Sequence, residues 1–135
     1  MIIVYAYICG DILHTGHILQ LQNGKALGDK LIVGVLTDEA VMEKKKKPAI
    51  PFTERLRVVQ GLECVDCVVP QKDYSPLNNV KMISPDVLME SESHLGYEYI
   101  EELKKDFKGR IVFTPYCPGP SSTAIKNEIK NHNDE

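Results

Sequence analysis

The residues best suited to chemistry stand directly after the first apolar run of the chain. His14, Gly16 and His17 form a His-x-Gly-His spacing, and Asp11 precedes it. The spacing falls where a strand pattern gives way to a helical one, so unpaired backbone N–H groups and the positive end of the helix dipole attract phosphate there. Gly16 lets a ligand approach the backbone, and both imidazoles can donate hydrogen bonds to phosphoryl oxygens. This pattern indicates phosphoryl transfer.

Alternating β-rich and helical segments must position that turn. The predicted strands are Ile2–Ile8, Leu31–Leu36, Val65–Val69, Val87–Met89 and Ile111–Phe113, and the predicted helices are Gly16–Gly28, one beginning near Thr53 as its cap, Leu77–Ile83, Tyr97–Phe107 and Ser122–Asn131. Because parallel strands joined by right-handed crossovers are covered on both faces, we expect a three-layer α/β/α, Rossmann-like, doubly wound parallel sheet of five strands. Residues 1–135 are expected to form a single domain.

Three further segments follow predicted strand ends. Thr37-Asp38-Glu39 follows the second strand, Glu90–His94 the fourth, and Gly119–Thr123 the fifth. Ligands of doubly wound sheets bind at the carboxyl ends of the strands. These segments and the histidine turn are therefore expected to converge on one edge of the sheet.

The order of these motifs resembles the cytidylyltransferase family of small nucleotidyltransferases. Asp-x-x-His-x-Gly-His, Thr37-Asp38-Glu39, Glu54-Arg55 and Gly119-Pro120-Ser121-Ser122-Thr123 follow one another as in that family, which includes glycerol-3-phosphate cytidylyltransferase and domains of phosphonate biosynthesis. The resemblance implies the nucleotidyltransferase fold and a cytidylyltransferase that moves CMP from CTP to a small phosphate ester or phosphonate. Pyrophosphate would leave, with Mg²⁺ bridging the phosphates.

The resemblance also implies roles for individual residues. The expected catalytic residues are His14, His17, Lys46 and Arg55. The expected nucleotide-binding residues are Cys9, Gly10, Asp11, Gly16, Lys44, Gly119, Ser121, Ser122 and Thr123. The expected acceptor-binding residues are Glu90, Glu92 and His94, and no protein ligand is assigned to a metal.

Several of these residues have structural alternatives. The run Lys44–Lys47 is typical of a solvated loop, and whether Lys44 or Lys46 contacts phosphate stays open. Arg55 is either an exposed helix-start residue or a planar phosphate ligand, and its unfavourable place near a helix N-terminus favours the ligand. Asp11 could orient the turn, hold a metal-bound water or cap the helix. Glu90 and Glu92 suit either an acceptor that carries an amine or an ordinary surface.

Composition narrows the function classes. The net charge of −3 predicts that nucleic acid is not a partner, and no apolar stretch reaches the ~20 residues of a membrane span. The chain enters a strand without a signal-peptide pattern, so we expect a cytoplasmic protein whose four cysteines are thiols. We also expect a homodimer joined near Pro48–Glu54 and the third strand.

Two other functions remain open at the level of the sequence. The same frame could use ATP as an adenylyltransferase that acts on a sugar phosphate or a flavin nucleotide. It could also be a non-catalytic nucleotide-binding domain.

Overall fold

A five-stranded, all-parallel sheet organises the chain, with the strands in the order β3-β2-β1-β4-β5. The computed structural model describes residues 1–115 and 129–130. The strands are β1 (Ile3–Ile8), β2 (Lys30–Leu36), β3 (Cys67–Gln71), β4 (Val87–Ser91) and β5 (Arg110–Thr114). The helices are α1 (Thr15–Ala26), α2 (Asp38–Met42), α3 (Phe52–Gln60), α4 (Leu77–Ile83) and α5 (Glu98–Asp106), with a 3-10 turn at Glu92–His94.

The strand order reverses between the two central strands. β1 pairs in parallel with β2 on one side, Val4 opposite Leu31, and with β4 on the other, Val4 opposite Val87. The predicted doubly wound parallel sheet is therefore confirmed. In such sheets the crevice beyond the carboxyl ends of the strands at this reversal is where ligands bind.

Alternate side chains of β1 fill two separate cores. Val4 and Ala6 pack with Leu21 of α1 and Val59 of α3 on one face. On the other face Tyr5 packs with side chains of α4 and α5, among them Val80 and Leu103. Because both faces of the sheet are covered, the strands carry apolar residues at successive positions, and the predicted three layers are confirmed.

A buried polar network joins the sheet to the turn that follows β3. The Tyr5 hydroxyl donates to Oε1 of Gln71 at 2.5 Å and accepts from Nδ2 of Asn79 at 2.9 Å. Nε2 of Gln71 donates in turn to the carbonyl of Tyr74 at 3.1 Å. Burial makes an unpaired amide costly, so these bonds hold the turn at Tyr74 in one place.

The third strand differs from its prediction. It begins at Cys67 instead of Val65 and includes Pro70, which lies beyond the predicted end of the strand at Val69. Proline is tolerated here because β3 is an edge strand, where an absent N–H need not break the sheet ladder. This edge lies in the region proposed for the homodimer, whose existence stays a prediction.

Some helices begin where the sequence predicted, and others do not. Thr53 was expected to cap α3, but Pro51 occupies the N-cap and Thr53 lies exposed within the first turn. The prediction missed α2, since five residues are too few to show a helical period; Thr37 caps it by accepting from the N–H of Ala40. The bounds of α4 are as predicted, and β4 and β5 extend one or two residues beyond their predicted ends.

The predicted last helix, Ser122–Asn131, lies outside the described residues except for positions 129 and 130, which are helical. Within residues 1–115 and 129–130, no helix combines the length and the apolar character needed to cross a membrane.

Neighbouring valines of α3 provide a test of this packing. Val59 is 0% exposed and Val58 is 51% exposed. Val59→Ala should lower the free energy of unfolding by about 2 kcal/mol, because it removes buried methyl groups and leaves a cavity. Val58→Ala makes the same change in helix propensity at the surface and should stay within about 0.5 kcal/mol. Urea unfolding of both variants measures the difference, and equal losses would contradict the placement of α3.

Candidate active site

The chain leaves β1 through a tight turn at Gly10. This residue has a φ of +73°, in the left-handed region that favours glycine, and a Cβ there would lie 3.2 Å from a methyl group of Val59. Gly10, expected to bind nucleotide, thus has a clear role in directing the chain from the sheet towards the start of α1.

The two motif histidines cap α1 reciprocally. Nδ1 of His14, the N-cap residue, accepts from the N–H of Gly16 at 3.0 Å, and Nδ1 of His17 accepts from the N–H of His14 at 3.2 Å. A ring nitrogen that accepts a hydrogen bond carries no proton, so the proton of each neutral imidazole lies on Nε2. Within the described part of the chain, neither Nε2 makes a hydrogen bond, and both rings present an N–H donor at the positive end of the helix.

The histidine rings lie side by side, with centroids 4.1 Å apart and planes tilted by 50°. Burial, together with the nearby His14 and Lys45, lowers the pKa of His17 to about 4. His17 is therefore neutral near pH 7, and its Nε2–H is an available donor that carries no positive charge.

Asp11 connects this turn to the loop that carries the lysines. Its side chain is 4% exposed and accepts from the N–H groups of Ala49 and Ile50 at 3.0 and 2.8 Å. Because His14 occupies the N-cap of α1, Asp11 does not cap this helix. Of the three roles expected for Asp11, its contacts agree with the first, in which it orients the turn.

Arg55 lies inside the protein with 0% exposure. Its guanidinium donates to the carbonyls of Cys9 and Leu36 and pairs with Asp38 at 2.6 Å, while its Nε donates to the carbonyl of Ile50. The alternative of an exposed helix-start residue is wrong. Carbonyls at the ends of β1 and β2 lie past the sheet ladder and need donors, and a planar guanidinium supplies several at once. In this arrangement Arg55 joins the loops of the site, and its role as a phosphate ligand stays a prediction.

The run Lys44–Lys47 is exposed. Nζ of Lys44 lies 5.1 Å from the centre of the Tyr97 ring. The charge of Lys45 acts on the histidine turn, since it is among the causes that lower the pKa of His17. The sequence favoured Lys44 or Lys46 for phosphate; the structure brings Lys45 into electrostatic range of the turn and gives no such sign for Lys46.

The cysteines are unpaired where they are described. Cys9, Cys64 and Cys67 are free thiols, and burial raises the pKa of Cys9, so it stays protonated and a weak nucleophile. Within residues 1–115 and 129–130, no three His, Cys, Asp or Glu side chains group to hold a metal ion. Cys117 lies outside the described residues.

At the end of β4, Glu90 is the centre of a buried network. Its carboxylate is 2% exposed, accepts from the Tyr7 hydroxyl at 2.7 and 2.8 Å, and lies 2.7 Å from Nδ1 of His94. Burial and the nearby carboxylate raise the pKa of Tyr7, so this phenol keeps its proton and donates. The structure thus brings together two of the three predicted acceptor residues, Glu90 and His94, whereas Glu92 lies exposed.

Three tyrosines that the sequence analysis did not select surround this network. The Tyr97 ring stacks on His94 with centroids 5.0 Å apart and meets Tyr74 edge-on at 5.9 Å. The Tyr99 hydroxyl lies 2.7 Å from that of Tyr7. One signal was present in the sequence, since all three tyrosines follow the ends of β3 or β4, at the edge where ligands bind.

Four residues near the C-terminus that were predicted to bind nucleotide lie outside the described residues. They are Gly119, Ser121, Ser122 and Thr123. The histidine turn, the Thr37 region and the segment from Glu90 to His94 all follow carboxyl ends of parallel strands, as predicted.

The role of Arg55 can be tested by stability. Arg55→Lys keeps the charge but cannot reach Asp38 and three carbonyls together, so it should lower the free energy of unfolding by about 3 kcal/mol. Arg57→Lys, on the exposed side of the same helix, should change it by less than about 0.5 kcal/mol. Urea unfolding gives both values. A loss for Arg55→Lys no larger than that for Arg57→Lys would show that the buried contacts do not stabilise the fold.

Comparisons with known proteins agree with this geometry. The family model described as cytidylyltransferase-like matches residues 9–128. The bifunctional proteins HldE of Helicobacter pylori and Campylobacter fetus are 36% and 35% identical to this chain over 98% and 94% of its length. The chain spans less than a third of those relatives, 29% and 28%.

A solved structure is similar over nearly its whole length. The lipopolysaccharide core biosynthesis protein of Thermoplasma volcanium shares 26% identity at a TM-score of 0.74, with 88% of this chain and 98% of that one covered. Fold, motif order and family match lead to one conclusion: the chain belongs to the cytidylyltransferase-like family.

Proposed function

We propose that this protein transfers a nucleoside monophosphate from a nucleoside triphosphate to a phosphate oxygen of a small acceptor, with release of pyrophosphate. The observation that carries the proposal is the pair of imidazoles at the start of α1, each with Nδ1 bonded to backbone and Nε2–H available. They stand after β1, beside the reversal of strand order where doubly wound sheets bind ligands.

The reaction needs positioning and charge stabilisation more than covalent chemistry. An acceptor oxygen attacks the α-phosphorus in line, the new P–O bond forms, and the bond to the pyrophosphate oxygen breaks. Nε2–H of His14 and of His17 would donate to phosphate oxygens as negative charge shifts towards the leaving group. The helix N-terminus and Lys45 add positive potential at the same turn.

Mg²⁺ belongs to this proposal as an ion carried by the substrate. Asp11 is the buried carboxylate of the turn, and both of its oxygens accept from backbone N–H groups of the following loop. A donor set of that kind fits an ion held mainly by phosphate oxygens and water, as is common for Mg²⁺. The ion would neutralise phosphate charge, while the chain supplies the imidazole donors.

ATP and a sugar phosphate are the first substrate pair that we propose. The similar Thermoplasma volcanium protein acts in biosynthesis of the lipopolysaccharide core, a structure assembled from sugars, and the HldE relatives favour adenylyl transfer over CMP transfer. The second candidate is CTP with a small phosphate ester or phosphonate, which the motif order and the description of the matching family favour.

Pyrophosphate release measures the proposal directly. Wild-type protein with Mg²⁺ should release pyrophosphate with one nucleotide and one class of acceptor, tested as ATP or CTP against sugar phosphates, phosphate esters and phosphonates. His17→Ala should lower kcat by about 10²-fold or more, roughly 3 kcal/mol of transition-state stabilisation.

The matched control is Gln22→Ala, at an exposed position of the same helix, which should leave kcat within a factor of two. Thermal midpoints confirm that each variant is folded. Release with no pair would contradict the proposed function. Full activity in folded His17→Ala would remove the histidine from the mechanism, and higher kcat/KM with CTP would select the second candidate.

A further inference from the structure

A groove of about 900 Å³ opens at the edge of the sheet opposite the histidine turn. It lies between the ends of α4 and α5, beside the first residues of β4 and β5. Because the strands are parallel, their amino ends and their carboxyl ends lie at opposite edges of the sheet. A molecule in this groove therefore leaves the candidate active site open, and both places can be occupied together.

The floor of the groove is apolar. Val80 and Leu103 are 3% and 0% exposed, and Leu77 and Phe107 are half-buried beside them. All four belong to the core that α4 and α5 form on one face of the sheet. The groove thus reaches the core between two helices, where an apolar group of a ligand would be removed from water.

Two particular residues give the groove its shape. Gly109 lies so close to its surroundings that a Cβ there would be 2.6 Å from the carbonyl oxygen of Asp86 and would clash with the Phe107 ring. Across the groove, Ser84 ends α4 with a φ of +51°, in the left-handed region that side chains rarely adopt. A larger residue at position 109 would displace either the aromatic wall or the turn that follows α5.

Charges of both signs line the rim, and they are not paired with one another. The exposed rim residues are Lys81, Asp86, Asp106, Lys108 and Arg110. Within residues 1–115 and 129–130, none of these five forms an ion pair. The carboxylate of Asp86 is already engaged, since it accepts from the N–H of Ile3 at 2.8 Å. Asp106 is therefore the carboxylate of the rim that is available to a ligand, beside three available cations.

A ligand with a single charge matches only part of this rim. An anion is attracted by Lys108 and Arg110 but repelled by Asp106, and a cation meets the reverse. Asp106 is also the last residue of α5, where the helix dipole is unfavourable for a carboxylate and favourable for an ammonium group. The guanidinium of Arg110 can donate two parallel hydrogen bonds to one carboxylate. A molecule that carries both groups is attracted by both signs of the rim.

We propose that this groove binds a zwitterion with an apolar body, the chemistry shared by α-amino acids with large apolar side chains and by short peptides built from them. Asp106 binds the ammonium group, and Arg110 binds the carboxylate. The apolar side chain packs on Val80, Leu103 and Phe107. This site is separate from the histidine turn, so the proposal does not depend on the proposed function.

Proton–nitrogen NMR of the full chain locates the binding. The probes are phenylalanine, phenylpropionate, which lacks the ammonium group, phenylethylamine, which lacks the carboxylate, and alanine, which lacks the ring. Phenylalanine should shift the N–H resonances of Ser84 and Gly109 and leave that of Gly16, at the histidine turn, in place. Exposed charge pairs contribute modestly, so each singly charged probe should bind about threefold more weakly or worse. Alanine should bind about tenfold more weakly or worse, because it buries no ring.

Exchange of the rim charges tests which residue binds which end of the ligand. Asp106→Asn should weaken binding of phenylalanine about threefold and leave phenylpropionate no weaker. Arg110→Gln should weaken both of these probes and leave phenylethylamine no weaker. Glu101→Gln and Lys105→Gln are the matched controls, since both residues are exposed on α5 and do not line the groove; neither should change any affinity. Thermal midpoints check that all four variants are folded.

The outcomes separate the proposal from its alternatives. Tighter binding of the dipeptide phenylalanyl-phenylalanine at the same resonances would support the site and select short peptides within the class. Phenylpropionate or phenylethylamine that binds as tightly as phenylalanine would overturn the zwitterion assignment. Equal losses in the control variants, or resonances of Ser84 and Gly109 that no probe shifts, would overturn the site itself.

Discussion

One buried guanidinium holds together the edge of the sheet on which the site is built. Arg55 donates to the carbonyl of Cys9 just after β1, to the last carbonyl of β2 and to the loop before α3, and it pairs with Asp38 at the start of α2. Three segments of the chain, the end of β1, the region from Leu36 to Asp38 and the loop before α3, thereby meet at one side chain. A buried charge is tolerated only where it is paired and hydrogen-bonded, so each segment must keep its place for the others to remain. The histidine turn and the lysine loop adjoin these segments and are therefore held in place with them.

Two sets of polar groups on this edge of the sheet differ in the hydrogen-bonding atoms that they present. The Nδ1 atoms of His14 and His17 accept hydrogen bonds from backbone N–H groups at the start of α1. These bonds fix both rings and leave Nε2–H as the donor. At the end of β4 the central group is an acceptor, because the carboxylate of Glu90 accepts hydrogen bonds from Tyr7 and His94. One side of the strand reversal therefore presents N–H donors, and the other presents acceptors and rings. That division suits a reaction between a polyphosphate and a hydroxylated partner.

How much of this could be predicted follows from the range of each interaction. Periodicity and turn residues act locally, so the parallel sheet, the start of α1 and the bounds of Leu77–Ile83 were accessible from the sequence. Val65 was assigned to β3 because an apolar residue suits either a strand or the turn that precedes it. The buried contacts of Arg55 were not predicted, because its partners, carbonyls near the ends of two strands, cannot be recognised from the sequence. Tyr74 and Tyr97 meet through tertiary packing alone.

The tautomers of His14 and His17 are the most direct test of the central claim, that their Nε2–H groups bind the phosphates. Nitrogen-15 NMR of protein labelled in histidine separates protonated from unprotonated ring nitrogens. The expected result near pH 7 is an unprotonated Nδ1 and a protonated Nε2 in both rings, with the Nε2 resonances shifting when a nucleoside triphosphate and Mg²⁺ are added. A proton on Nδ1, or Nε2 resonances that stay unchanged at saturating nucleotide, would contradict this account.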